Sequence, residues 1–123
     1  MDLSGRWTSQ KFGYVIDIAR CGTEWCGIKL KADLTCGALA LRLSPKSTGG
    51  NQGWLAGTLM LDPAAQTYKV GATPEGPAGE RPVRLFLAGN PDSPPHPMSR
   101  MILFQDNLVR GPEASCLADG KVS

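Results

Sequence analysis

Apolar and polar residues alternate with a period of two along most of the chain, and no stretch carries a convincing helical period. In "YVIDIAR", Tyr14, Ile16 and Ile18 share one face, with Val15, Asp17 and Ala19 on the other. In "EWCGIKLK", Cys26, Ile28 and Leu30 alternate against Gly27, Lys29 and Lys31, and in "GALALRL", Leu39, Leu41 and Leu43 oppose Ala38, Ala40 and Arg42. "GWLAGTLMLD", "TYKVG", "PVRLFLAG", "RMILFQD" and "NLVRG" are further runs of strand length, punctuated by Gly, Pro, Asn and Asp. This pattern predicts eight or nine strands in a series of hairpins. Such a series must hide its edges, and it does so by closing into a barrel or folding into a sandwich. Ala38, Ala40, Ala56 and Gly57 set small residues beside large ones, which permits tight curvature and favours the barrel. The expected fold is all-β: a single antiparallel up-and-down barrel over residues 1–123. Three long Gly- or Pro-rich connections are expected at 44–53, 71–82 and 89–99.

Length and charge add exclusions. A chain of 123 residues suits one domain with its own core. Its 13 Lys and Arg against 11 Asp and Glu are scattered singly, so no basic run is dense enough to track a nucleic-acid backbone. No apolar stretch approaches the roughly 20 residues of a membrane-spanning helix. "MDLSGRW" has no basic and apolar leader pattern, so any export signal is expected to have been removed before Met1.

The cysteines sharpen the compartment. Four in so short a chain favour an oxidising environment. Cys21 closes one strand and Cys26 opens the next across "GTEW", which places them opposite each other in a hairpin, within reach of a disulfide. A thioredoxin-type motif needs two intervening residues and a following helix, and a four-cysteine zinc site needs two close pairs. Neither is present. Four cysteines allow three connectivities; Cys21–Cys26 with Cys36–Cys116 is the preferred one.

"LSGRW" carries the most telling motif. A Gly-x-Trp opening the first strand, here Gly5 and Trp7, resembles the mark of the lipocalin and calycin barrels. The resemblance implies that Trp7 plugs the closed end and that a late arginine stacks over it. Arg110 is the expected partner, with Arg100 second; a guanidinium over an indole is worth about 0.5–2 kcal/mol. Together with Ile16, Cys21, Cys26, Gly27, Ile28, Trp54, Gly57, Asp62, Pro63, Thr67 and Tyr68, the motif is similar to a family of bacterial secreted proteins, domain of unknown function 2147. The match covers the first 70 or so residues, with "SCLADG" near the end. Asn90-Pro91-Asp92 falls in a different loop from the family's, and the family's closing Trp-x-Arg is absent, as in a divergent or trimmed member. The resemblance implies a calycin-like barrel, export to the periplasm or beyond, and no established activity. With Trp7 at the base, turns 10–12, 32–36, 62–66 and 89–99 surround the open end, while 44–53 and 71–82 fall at the base.

Catalytic signals are weak. His96, the only histidine, has Asp92, Ser93 and Ser99 as sequence neighbours but no nucleophile elbow. Asp62 in "LDPAAQTY" reads as turn chemistry, with too few oxygens around it for calcium. No metal, cofactor or catalytic residue is expected. The tryptophans fill the barrel or, with Tyr14, Phe86 and Phe104, line a pocket. The expected function is binding of a small, largely apolar ligand inside the barrel, lined by Trp54, Leu85, Phe86, Leu87 and Met101. The competing reading is a filled barrel that docks onto a protein, or inhibits a protease, through its Pro- and Gly-rich loops, above all 89–99.

Overall fold

The computed structural model describes residues 2–45, 55–61, 67–76, 81–91 and 104–116. Eight strands follow one another: β1 (Gly5–Ser9), β2 (Val15–Cys21), β3 (Glu24–Leu30), β4 (Cys36–Pro45), β5 (Leu55–Leu59), β6 (Tyr68–Glu75), β7 (Arg84–Pro91) and β8 (Phe104–Arg110). Each pairs antiparallel with its sequence neighbours, and β8 returns to β1, closing the barrel through Trp7↔Arg110 and Ser9↔Leu108. The expected all-β, up-and-down barrel is therefore observed, at eight strands. The runs "RMILFQD" and "NLVRG" are not two strands: the described part of both is the single strand β8.

Inward positions alternate as the pattern requires. Trp7, Ile16, Ile18, Trp25, Leu41, Leu43, Leu55, Leu59, Val70, Ala72, Leu85, Leu87, Phe104 and Leu108 form one contiguous buried cluster, with Leu3 beneath it. Burying a leucine or isoleucine side chain contributes about 1.5–3 kcal/mol, so this cluster supplies the main driving force for closure. Curvature is tight where small residues were noted: a Cβ on Gly57 would collide with the backbone carbonyl of Arg42 on the paired strand.

One face differs from the alternation read in sequence, that of β4. Pairing of β3 with β4 slips at Ile28, which opposes Leu39 after Gly27 has opposed Leu41. The extra residue is a bulge, which flips the side chain before it to the other face. Leu39 is accordingly 40 % exposed, whereas Leu41 and Leu43 are buried. On β3 it is Trp25 and Gly27 that face the core, Gly27 lying against Ile16 and Leu41. Ile28 and Leu30 face outward and are buried there with Cys116, with Val15 packed against them.

The cover comes from segment 111–116, which turns back over the outside of β1–β3. Gly111 N–H donates to the Arg6 carbonyl at 2.6 Å and Arg6 N–H to that of Pro112 at 2.8 Å. The disulfide Cys36–Cys116 then closes a span of 80 residues, and Cys21–Cys26 staples the β2–β3 hairpin. Both follow the preferred pairing, and two disulfides in a small domain point to an oxidising, extracytoplasmic environment.

The long connections begin later than read. Strand β4 continues through Pro45, β6 through Glu75 and β7 through Pro91, so the expected loops 44–53, 71–82 and 89–99 each begin with ladder-paired residues. Strand direction puts the connections after β1, β3, β5 and β7 at one end and those after β2, β4 and β6 at the Trp7 end. Long connections therefore serve both ends.

Candidate functional site

At the end opposite Trp7, four rings gather. Phe12 stacks on Tyr14 (centroids 6.4 Å apart, planes at 18°) and on Phe104 (5.8 Å, 20°), and Tyr68 tilts against Phe104 at 5.0 Å. Both tyrosines and two of the three phenylalanines of the chain stand here, while the barrel below is lined mainly with aliphatic side chains. The β1–β2 turn makes this possible. Gly13 adopts φ 82°, open to glycine at no steric cost, and Ser9 N–H donates to the Tyr14 carbonyl at 2.9 Å.

A buried carboxylate fixes the turn. Asp106 is 3 % exposed on the inner face of β8. One carboxylate oxygen accepts the Ser9 hydroxyl at 2.6 Å and the Tyr14 phenol at 2.8 Å. The other accepts the backbone N–H groups of Asn107 at 2.8 Å and Lys11 at 3.2 Å. Ser9 in turn accepts the Phe12 N–H at 2.9 Å, which ties the exposed ring to the acid below. A carboxylate with about four lone-pair sites is saturated by four donors. Asp106 therefore positions the turn. Burial, followed by the hydrogen bond to Asp106 and its charge, pushes the Tyr14 phenol well above the usual tyrosine range.

Beside the rings lies a groove of about 480 Å³, lined by Phe12, Tyr14, Val15, Leu30 and Leu34 with Lys29 and Lys31. Its far wall is the β3–β4 turn. Lys31 N–H donates to the Thr35 carbonyl at 2.9 Å, and the Asp33 carboxylate accepts the Thr35 hydroxyl at 2.6 Å and its N–H at 3.1 Å. Those bonds to Thr35 hold Asp33 below the usual carboxylate range. Lys11 sets its ammonium 5.3 Å from the Phe12 centroid. The wall of the groove is thus aromatic and aliphatic, and the charges lining it are cationic.

The opposite end is a plug. The Arg110 guanidinium lies 4.5 Å from the Trp7 ring centroid and donates to the carbonyls of Pro82 and Asp2, each at 2.6 Å, and to that of Ser4. Trp7 Nε1–H donates to the Leu3 carbonyl at 2.9 Å. Gly5 opens the space: it adopts φ 142°, and a Cβ there would stand 2.8 Å from Arg110 Nη1. Burial, then the nearby charge of Arg81, lowers the pKa of Arg110.

Of the residues expected to line a ligand site, Leu85 and Leu87 face inward and are fully buried in the core. Phe86, placed with them in the sequence reading, is corrected by the period of the strand: it faces outward, half-buried, on a shallow surface groove with Gln10, Lys11, Gln105 and Asn107. Trp54 and Met101 lie outside the described residues, as do Asp62, His96, Arg100 and residues 92–99 of the candidate docking loop. Phe12, Tyr68, Leu34 and Asp106 were missed. The one sequence signal was Phe12-Gly13, an aromatic at a turn tip where a solvated residue is expected.

No cluster of three or more His, Cys, Asp and Glu suited to a metal ion occurs among the described residues. No described helix is long and apolar enough to cross a membrane. The fold and site define a small disulfide-bonded antiparallel barrel, plugged at one end and aromatic at the other. Searches against protein-family models, curated proteins and solved structures find no match to the chain.

Proposed function

We propose that this barrel is a non-catalytic binding module for a small amphiphile, held at the aromatic end. The observation that carries the reading is the groove between the β1–β2 and β3–β4 turns. Its apolar wall of Phe12, Tyr14, Val15, Leu30 and Leu34 suits an acyl or aryl body, and Lys29 and Lys31 suit an anionic head. The interior-ligand expectation is thereby moved outward, because Leu85 and Leu87 are already committed to the core. Export fits two disulfides, and the proposed kinship with the secreted calycin-like family rests on residues such as Gly5, Trp7, Cys21, Cys26 and Cys116.

Dodecanoate is a suitable probe, titrated into ¹⁵N-labelled oxidised protein. Amide shifts confined to residues 12–15 and 29–34 are expected, and Lys29→Glu with Lys31→Glu should weaken binding about tenfold, the effect of reversing two partly screened charges. Absence of shifts, or shifts centred on the Trp7 end, defeats the reading.

A further inference from the structure

The two most exposed large apolar side chains among the described residues are Phe12 at 55 % and Leu34 at 54 %. They stand on the two turns that flank the groove, at the same end of the barrel. Leu34 is doubly unexpected. It adopts φ 66°, in the left-handed region, where a side chain with a Cβ costs about 1–2 kcal/mol and where glycine or asparagine is the ordinary choice. Its N–H donates to the Lys31 carbonyl at 2.8 Å, so the turn itself holds the conformation whatever the side chain. Leucine here serves neither the backbone nor the core. Phe12 repeats the pattern on the other turn, with half its ring in water.

Each tip has ammonium groups beside it. Lys11 sits over Phe12, and Lys29 and Lys31 line the groove beneath Leu34. The carboxylates of these turns and of the acid below them are engaged internally: Asp33 by Thr35, and Asp106 by Ser9, Tyr14 and two backbone N–H groups. Apolar tips on short turns, flanked by lysines, are the arrangement that enters a headgroup–acyl boundary while the ammonium groups reach lipid phosphates. A protein partner fits less well, because lysine is depleted where protein surfaces meet.

We infer that the open end docks on the surface of an anionic lipid bilayer, Phe12 and Leu34 entering the boundary and Lys11, Lys29 and Lys31 meeting lipid phosphates. This shares its face with the amphiphile reading and rests on it for the source of the ligand: the bilayer is where a molecule with an apolar body and an anionic head resides.

The test is co-sedimentation of the full oxidised chain with vesicles of phosphatidylcholine, alone or mixed with phosphatidylglycerol. The protein should sediment with the mixed vesicles, stay in solution with the neutral ones, and be released by salt of about 0.5 M. Phe12→Ser with Leu34→Gly should weaken vesicle binding by about tenfold or more, through loss of both apolar anchors. Leu34→Gly alone should keep or raise the melting temperature, since glycine suits this φ, so lost binding cannot be put down to unfolding. Equal sedimentation with both vesicle types, no sedimentation, or a folded double variant that binds like the parent each overturns the inference. Dodecanoate titration separates the two readings. A protein that binds dodecanoate and ignores anionic vesicles overturns docking alone; one that sediments and ignores dodecanoate overturns the groove reading alone.

Discussion

The Arg110 guanidinium carbon stands 4.5 Å from the Trp7 ring centroid, while its N–H groups hold three backbone carbonyls of the barrel base. One side chain thus joins β8, the N-terminal segment and the turn before β7. Lysine keeps the charge but loses the planar fork. Arg110→Lys should lower unfolding free energy by about 2–3 kcal/mol, from lost charge-assisted bonds and the cation–π contact. Urea unfolding followed by tryptophan emission reads this directly; an unchanged midpoint would show that the plug holds without the fork.

Tyr14 and Asp106 make a prediction at high pH. Burial and the neighbouring carboxylate raise the folded-state pKa of the phenol above the unfolded value of about 10. The group therefore stabilises the fold fully below pH 10, and that contribution fades as pH rises towards the folded pKa. In a spectroscopic titration of folded protein, Tyr14→Phe should leave the tyrosinate absorbance the same as in the parent through the ordinary tyrosine range, because Tyr14 does not ionise there. A reduced signal would mean that Tyr14 ionises in the ordinary range. The same variant should cost about 1–2 kcal/mol at neutral pH through the lost donor to a buried acceptor.

Asp17 gives the opposite sign. Its side chain is fully buried on the outer face of β2, bonded to Arg6 at 2.7 Å, to Ser115 N–H at 2.9 Å and to Cys116 N–H at 3.0 Å. Burial alone would raise its pKa, but the Arg6 and backbone bonds together outweigh it and hold the carboxyl below the usual range. Its contribution is present above about pH 4 and is lost as pH falls through the folded pKa. Asp17→Asn should destabilise by about 2–4 kcal/mol at neutral pH, with the difference from the parent narrowing below pH 4. Urea midpoints measured for both proteins from neutral to acid pH check it, and a gap that stays constant would contradict the assignment.

The two disulfides should differ in weight. Loop-closure entropy assigns about 4 kcal/mol to Cys36–Cys116, which spans 80 residues, and about 2 kcal/mol to Cys21–Cys26, which spans 5. Paired Cys→Ser variants, compared by thermal unfolding, should fall in that order. The reverse order would mean that native-state contacts, and not chain entropy, dominate the longer bridge.

Much of this fold was legible. Alternation located the strands, the spacing of Cys21 and Cys26 gave the hairpin staple, and the Gly-x-Trp motif pointed to Arg110, which the structure sets over Trp7. What escaped has a common cause. Leu39 is turned outward by a bulge that leaves no mark in the polar pattern. Ile28 and Leu30 look like core residues and are buried, but against segment 111–116, which has no periodicity of its own. Asp17 and Asp106 look like ordinary surface acids until partners about a hundred residues away are brought to them. The aromatic end depends on four separate turns and strand ends meeting, which no local pattern encodes. Phe86 was misread for a plainer reason: alternation along β7 sends Leu85 and Leu87 inward and Phe86 outward.

Seven of the eight ladders join strands adjacent in sequence, so most of the sheet can zip up in the order in which the chain emerges. The strap over β2 and β3 cannot. Asp17 waits for the amides of Ser115 and Cys116, and Cys36 waits for Cys116. A chain ending before residue 115 leaves the Asp17 carboxylate without those donors, Cys36 without its thiol partner, and Val15, Ile28 and Leu30 uncovered as an apolar ribbon. The strap is thereby a partial seal: with segment 111–116 in place the Ile28 end of the ribbon is covered and only its Val15 and Leu30 end borders the groove, whereas clipping the strap exposes the whole length.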